Sequence, residues 1–290
     1  MSRRGILTIV AVFAMSWVMP TAVTHAQVTL GSAASFGILV DGGSLTVGNS
    51  AVMGGFIGAD DGNVTLGNNS TAPIVLADTD GNGTVITLGN YTNALICATD
   101  SSGTISLGLG AQCFSTDTSG GGINCLENGE TDEETFESAA QCATVTQPLS
   151  AAISLADGKK MTITDTVSGG LNVITVPSIT LNNSSTLTLS GGPTDTVVLL
   201  DSGVLSIGSG AKIVLAGGLL PANVYINADN STAWGNSIVL SGTVEVEDTG
   251  CTVGSGAVIY GALICESDTT IGPNLRLNFS ASEVSVPGCS

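Results

Sequence analysis

Thr46-Val47-Gly48, Thr65-Leu66-Gly67 and Thr87-Leu88-Gly89 share one pattern, a Thr or Ser followed by an apolar residue and a glycine. The triplet recurs at Thr29-Leu30-Gly31, Ser106-Leu107-Gly108, Ser206-Ile207-Gly208, Thr252-Val253-Gly254 and Thr270-Ile271-Gly272, and with Asn for Gly at Thr180-Leu181-Asn182. From Gly31 to Gly108 the glycines lie 17, 19, 22 and 19 residues apart, and Gly254 and Gly272 lie 18 apart. A repeat of this length is one coil of a solenoid, because a single coil cannot bury its apolar edge and must stack on neighbours. The wider gaps of 26, 46 and 74 residues fit one long coil or several coils with weaker triplets.

Strand alternation turns the middle apolar residue of each triplet inward and the Thr or Ser outward. The glycine is expected to let the backbone turn at the coil corner. Flanking stretches such as Thr186-Leu187-Thr188-Leu189 and Val244-Glu245-Val246-Glu247 alternate strictly, and Gly, Asn, Asp and Ser separate them. Ala94-Leu95-Ile96-Cys97-Ala98-Thr99-Asp100 returns as Ala262-Leu263-Ile264-Cys265-Glu266-Ser267-Asp268, an echo with five of seven positions identical that supports homology between coils.

The triplets stop between about 113 and 157. There Thr131-Asp132-Glu133-Glu134 reads as a capping box, and Phe136, Ala139, Ala140 and Ala143 make an apolar face at helical spacing. One short helix is expected over roughly 132 to 143, the alternative being a disulfide-stapled loop. The fold class is therefore all-β: a parallel β-helix, or β-solenoid, of roughly 18–20-residue coils with one short helix packed alongside. Residues 27–290 are read as a single solenoid domain carrying a Cys-rich, acidic, partly helical insert at about 113–157.

Residues 1–26 read as a secretory signal, because Arg3 and Arg4 precede an apolar run from Ile6 to Val18 and the small-residue site Thr24-His25-Ala26. The paired arginines also resemble a twin-arginine export signal. Export to a secreted or cell-surface location is expected, and no second apolar stretch is long enough to span a membrane. All 24 acidic residues follow the signal, with Lys159, Lys160, Lys212 and Arg276 the basic residues beyond it, so the formal charge there is 4 − 24 = −20. Such a chain repels nucleic acid and favours divalent cations.

The single histidine, His25, lies within the signal, and neither a nucleophilic triad nor a pocketed acid/base pair is visible. The chain reads as non-enzymatic. Trp234 is expected at an edge or cap. Cys97, Cys113, Cys125 and Cys142 admit three disulfide pairings, Cys251 and Cys265 are expected to pair, and Cys289 is left over for self-association.

The opening Leu30-Gly31-Ser32-Ala33-Ala34-Ser35-Phe36-Gly37-Ile38-Leu39 resembles that of the microbial ice-binding proteins with a discontinuous β-solenoid. Ser50-Ala51-Val52-Met53-Gly54-Gly55-Phe56-Ile57-Gly58 is similar to that family's next segment, and the stretch from Gly170 to Gly272 to its C-terminal coils. The resemblance implies a first group of coils, a helix packed alongside, the remaining coils, and ice as partner; another repetitive, extended surface is the alternative ligand.

Thr29, Thr46, Thr65, Thr87, Ser106, Thr180, Ser206, Thr252 and Thr270 then form the candidate binding ladder. Stacked in register they would offer methyl and hydroxyl groups at about 4.8 Å intervals, although Thr also suits any solvent-facing strand position. Asp78-Thr79-Asp80-Gly81-Asn82-Gly83 matches the first half of a calcium loop, with Gly89 where the bidentate Glu would stand. Asp78, Asp80 and Asn82 are thus calcium candidates, a polar coil-to-coil turn being the other reading of the loop, and no other cofactor is expected. A second reading is a structural or adhesive protein at a cell surface, stabilised by calcium.

Overall fold

The computed structural model describes residues 27–78, 83–118 and 124–288, Asn124 and Cys125 by backbone alone. The expected signal lies outside these residues, as do Asp80, Asn82 and Cys289. Short strands in parallel register wind into a solenoid with three sheet faces, and one helix, Asn124–Cys142, lies along one of them.

The first face is a six-stranded sheet in the spatial order Thr104–Leu107, Val85–Leu88, Val64–Leu66, Leu45–Val47, Thr269–Ile271, Thr252–Val253. Its order shows that the stack is discontinuous. Leu45–Val47, early in the chain, pairs on one side with Val64–Leu66 and on the other with Thr269–Ile271. On the helix-covered face, likewise, Phe36–Val40 lies between Phe56–Ala59 and Val258–Cys265. Coils made before the helix thus continue the stack that the last coil begins.

Inward positions build a narrow aliphatic core, with Val47, Leu66, Leu88, Leu181, Ile207, Val253 and Ile271 all buried. Trp234, expected at an edge or cap, is instead a buried core residue, and its Nε1 donates to Leu205 O at 3.2 Å. An indole fits there because its one polar atom finds a backbone acceptor. The 26-residue gap is one long coil, Ile179–Leu181 pairing with the end of Thr196–Ile207.

The triplet glycine has a different role from the one expected. Gly67 does not have positive φ, and a Cβ there would stand 2.6 Å from Asn49 N of the neighbouring coil. It permits close backbone approach. The left-handed turn comes two residues later, at Ser50, Asn69, Tyr91, Ser184, Ser237 and Asn274 among others.

The helix starts eight residues before the expected 132. Thr131 is not a cap: its Oγ1 donates to Glu127 O at 3.1 Å within the helix. Asp132 accepts from Ser32 N at 2.7 Å and so ties the helix to the 3-10 turn Gly31–Ser35. Gly129 is a weak helix former, but Phe36 lies so close that an added Cβ would stand 3.0 Å from its ring. Phe136, Ala139, Ala140 and Ala143 are buried as expected, with Leu126, against Leu39, Leu76, Ala98, Val198, Tyr225 and Ile264 of the coils.

Disulfides join Cys97 to Cys113 and Cys251 to Cys265, and Cys142 is also disulfide-bonded. The side chain of Cys125 lies outside the description. The two copies of the Ala-Leu-Ile-Cys echo are offset in the stack: through Val75, Ile57 and Ile38, Cys97 lies level with Leu263, two residues from Cys265.

Candidate surface-binding face

On the first face, Thr252, Thr270, Thr46, Thr65, Thr87 and Ser106 are successive register partners. Beyond Thr252 the column passes through a single bridge. Trp234 pairs with Val253 in parallel, which sets Ala233 level with Thr252, and Gly235 N donates to Ile207 O at 2.7 Å. Ser206, Thr180 and Ser154 then continue in register. Adjacent strands in such a ladder lie about 4.8 Å apart. Every side chain in the column is at least partly exposed, whereas the inward neighbours of Thr46, Thr65, Thr87, Thr180 and Ser206 are buried; at the Ser106 end Ile105 is half-buried and Leu107 exposed.

Thr29 does not belong to this column. Its strand, Gln27–Thr29, pairs antiparallel with Ser285–Pro287, and Thr29 faces Ser285. Chain entry at Gly31–Ser35 turns away from the coil path, so the first triplet is only a sequence likeness. Two column positions escaped the triplet pattern. Ser154 precedes Leu155-Ala156, without the glycine, and Ala233 precedes Trp234-Gly235, without the hydroxyl. Alternation at Ile153-Ser154-Leu155 was the usable signal for the first.

The corner beside the column is locked by side chains. Asn49 Oδ1 accepts from Asn68 N (2.8 Å), Asn68 Oδ1 from Asn90 N (2.7 Å) and Asn90 Oδ1 from Leu109 N (2.7 Å). In the later coils Asn183 Oδ1 accepts from Ser209 N and Asn236 Oδ1 from Ser255 N. These bonds satisfy backbone donors that leave the strand ladder at each corner and fix one coil upon the next.

The other uncovered sheet differs. One of its outward columns runs Lys160, Thr186, Lys212, Val239, Val258, Arg276, Val52, Thr71, Asn93, Gln112. It mixes charge with bulk, and Leu95, Phe114 and Tyr260 on this sheet are exposed. The Thr/Ser column holds no ionisable side chain. Of the calcium candidates Asp78 is described, and it is buried just after strand Thr71–Ala77. Among the described residues, several carboxyl groups held above the ordinary carboxylate range gather instead where the helix meets the coils. There burial, then repulsion from Glu247, pushes Glu137 up to about 7, and burial, then repulsion from Glu133, pushes Glu266 up to about 8.

No family model matches the chain. An ice-binding protein of Flammulina populicola is 39% identical over 94 residues, which are 31% of this chain and 38% of that protein. Among solved structures, an ice-binding protein from the Antarctic ascomycete Antarctomyces psychrotrophicus superposes with a TM-score of 0.56 at 18% identity, over 89% of this chain and 100% of that one. An ice-binding protein from an Arctic yeast gives 0.55 at 18% identity, over 87% and 94%. The ice-binding DUF3494 domain of Shewanella frigidimarina gives 0.51 at 17%, over 88% and 98%. Among the described residues no helix is long and apolar enough to cross a membrane. The resemblance read from the opening residues is thus found at two levels: the chain has the β-solenoid fold of the ice-binding proteins, and part of it is recognisably similar in sequence to one of them.

Proposed function

We propose that the protein is an exported, non-enzymatic solenoid that binds ice through the Thr/Ser column of its first face. The observation that carries this reading is the register: Thr252, Thr270, Thr46, Thr65, Thr87 and Ser106 stack without interruption across the discontinuity of the chain. A periodic lattice is met by a periodic array, and each Thr supplies a methyl that excludes liquid water and a hydroxyl that holds ordered water. The ice-binding relative and the shared fold support the choice of ice over another repetitive surface.

Between the two uncovered faces, the column face suits a rigid lattice because its outward groups are small and uncharged. Lys160, Lys212 and Arg276 would hold hydration shells in the way on the other. Thermal hysteresis and ice recrystallisation assays on oxidised protein test the reading. Wild type is expected to shape ice and Thr65→Lys to lose most of that activity while folded. Retained activity in Thr65→Lys, together with loss in Thr188→Tyr on the other uncovered sheet, would move the site to that sheet.

A further inference from the structure

Beneath the helix, Glu133 and Glu137 face Glu245 of strand Val239–Val246, and one carboxylate oxygen from each lies within 4.8 Å of the others. Glu133 and Glu245 are both 0% exposed. Neither Glu133 oxygen has a hydrogen-bond partner, and neither does Glu245 Oε2. Glu245 Oε1 accepts from Asn227 Nδ2 at 2.9 Å, and Glu137 Oε1 from Gln141 Nε2 at 2.7 Å. Two buried carboxylates facing each other cannot both stay ionised without a positive charge between them.

The described residues offer none there. Lys160, Lys212 and Arg276 lie on the uncovered charged sheet, and Lys159 adjoins Lys160. What surrounds the pair is acidic: Glu130, Glu134 and Glu137 from the helix, and Asp41, Asp229, Glu247 and Glu266 from the coils. Calcium takes carboxylate oxygens at about 2.3–2.6 Å, so one ion can reach oxygens as far as roughly 4.6–5.2 Å apart.

We propose that Glu133, Glu137 and Glu245 form a calcium site that clamps the helix onto the solenoid, with Asn227 orienting Glu245 from the sheet. The site is distinct from the loop at Asp78 and does not depend on ice binding. Burial, then repulsion from Glu245, raises Glu133 above the ordinary carboxylate range, and burial raises Glu245 although a hydrogen bond shared with Glu133 lowers it, so protons hold the place of the ion when calcium is absent. Calcium binding near neutral pH therefore releases protons.

The test uses chelator-treated, oxidised protein at pH 7.5, titrated with calcium chloride by calorimetry and followed by melting. A saturable site is expected, with Tm rising by about 5–10 °C at a hundredfold excess over Kd. Glu133→Gln combined with Glu245→Gln should abolish the rise, and Glu127→Gln, on an exposed part of the helix, should keep it. Tyr225 Oη lies 3.4 Å from Asn227 Nδ2, so terbium in the site should luminesce when tyrosine is excited, and Tyr225→Phe should quench that signal. The terbium readout on folded Tyr225→Phe stands even if the double variant fails to fold. The proposal falls if wild type shows no calcium heat and no melting shift, if the double variant keeps the shift, or if terbium emission is unchanged in Tyr225→Phe.

Discussion

The column sheet and the helix-covered sheet are made by the same coils, yet they present opposite surfaces. In the coil holding Phe56–Ala59 and Val64–Leu66, the inward residues Ile57, Ala59, Val64 and Leu66 are buried without remainder. The outward residues part company: Phe56 packs edge-on against Phe36 with ring centroids 5.7 Å apart, while Thr65 faces solvent. Inward residues specify a coil, and outward residues specify what that coil meets. On one face the partner is the protein's own helix, brought by Phe136, Leu126 and three alanines; on the other it is left to the surroundings.

The sharpest way to break the contrast is Phe136→Ala. This ring is fully buried and stands edge-on to Tyr225 at 4.8 Å, so its loss should destabilise by about 3–5 kcal/mol. Denaturant titration should show that loss, and the column sheet, which lacks this contact, should keep its ice activity while the protein is folded. Gly67→Ala comes next, at about 1–3 kcal/mol, since its Cβ would press on Asn49 N and force the coils apart; both ice activity and melting temperature should fall.

The covered face should also respond to acid in a direction the column face cannot. Glu137 and Glu266 titrate at about 7 and about 8 in the native state against an ordinary 4.5. The native state therefore holds protons that the unfolded chain releases. That contribution is complete below about pH 4.5 and is lost as pH rises through about 7 and about 8. Calcium-free protein should melt at a lower temperature at pH 9 than at pH 5, and a flat profile would argue against this packing. The smallest stability change belongs to the column itself: Thr46→Tyr should alter unfolding free energy by no more than about 0.5 kcal/mol while removing most thermal hysteresis.

Sequence repeats exposed the coils because stacking forces the same inward residue and the same close-approach glycine to recur. They exposed most of the column for the same reason, from Thr46 to Thr270. Thr29 lies off the column although it carries the triplet, since a triplet gives local alternation but not the path of the chain into the next coil. Ser154 and Ala233 were hidden because the pattern demanded both glycine and hydroxyl, whereas register requires only an outward position. The helix was read too short because Asn128 and Gly129 are poor helix formers, and the contact of Gly129 with Phe36 is tertiary. Nothing local could reveal that Glu133 meets Glu245, because 112 residues separate them in the chain.

The seam between Thr46 and Thr270 also sets an order in time. Ser44 N donates to Asp268 Oδ1 across 224 residues at 2.8 Å, so this junction closes only after Asp268 has been made. Closing so long a loop is entropically expensive, and folds dominated by such contacts form slowly. Each group of coils can propagate from its own neighbours, but the middle rows of the surface come into being last. A chain that stops before Thr269–Ile271 would therefore carry two short ladders with no centre.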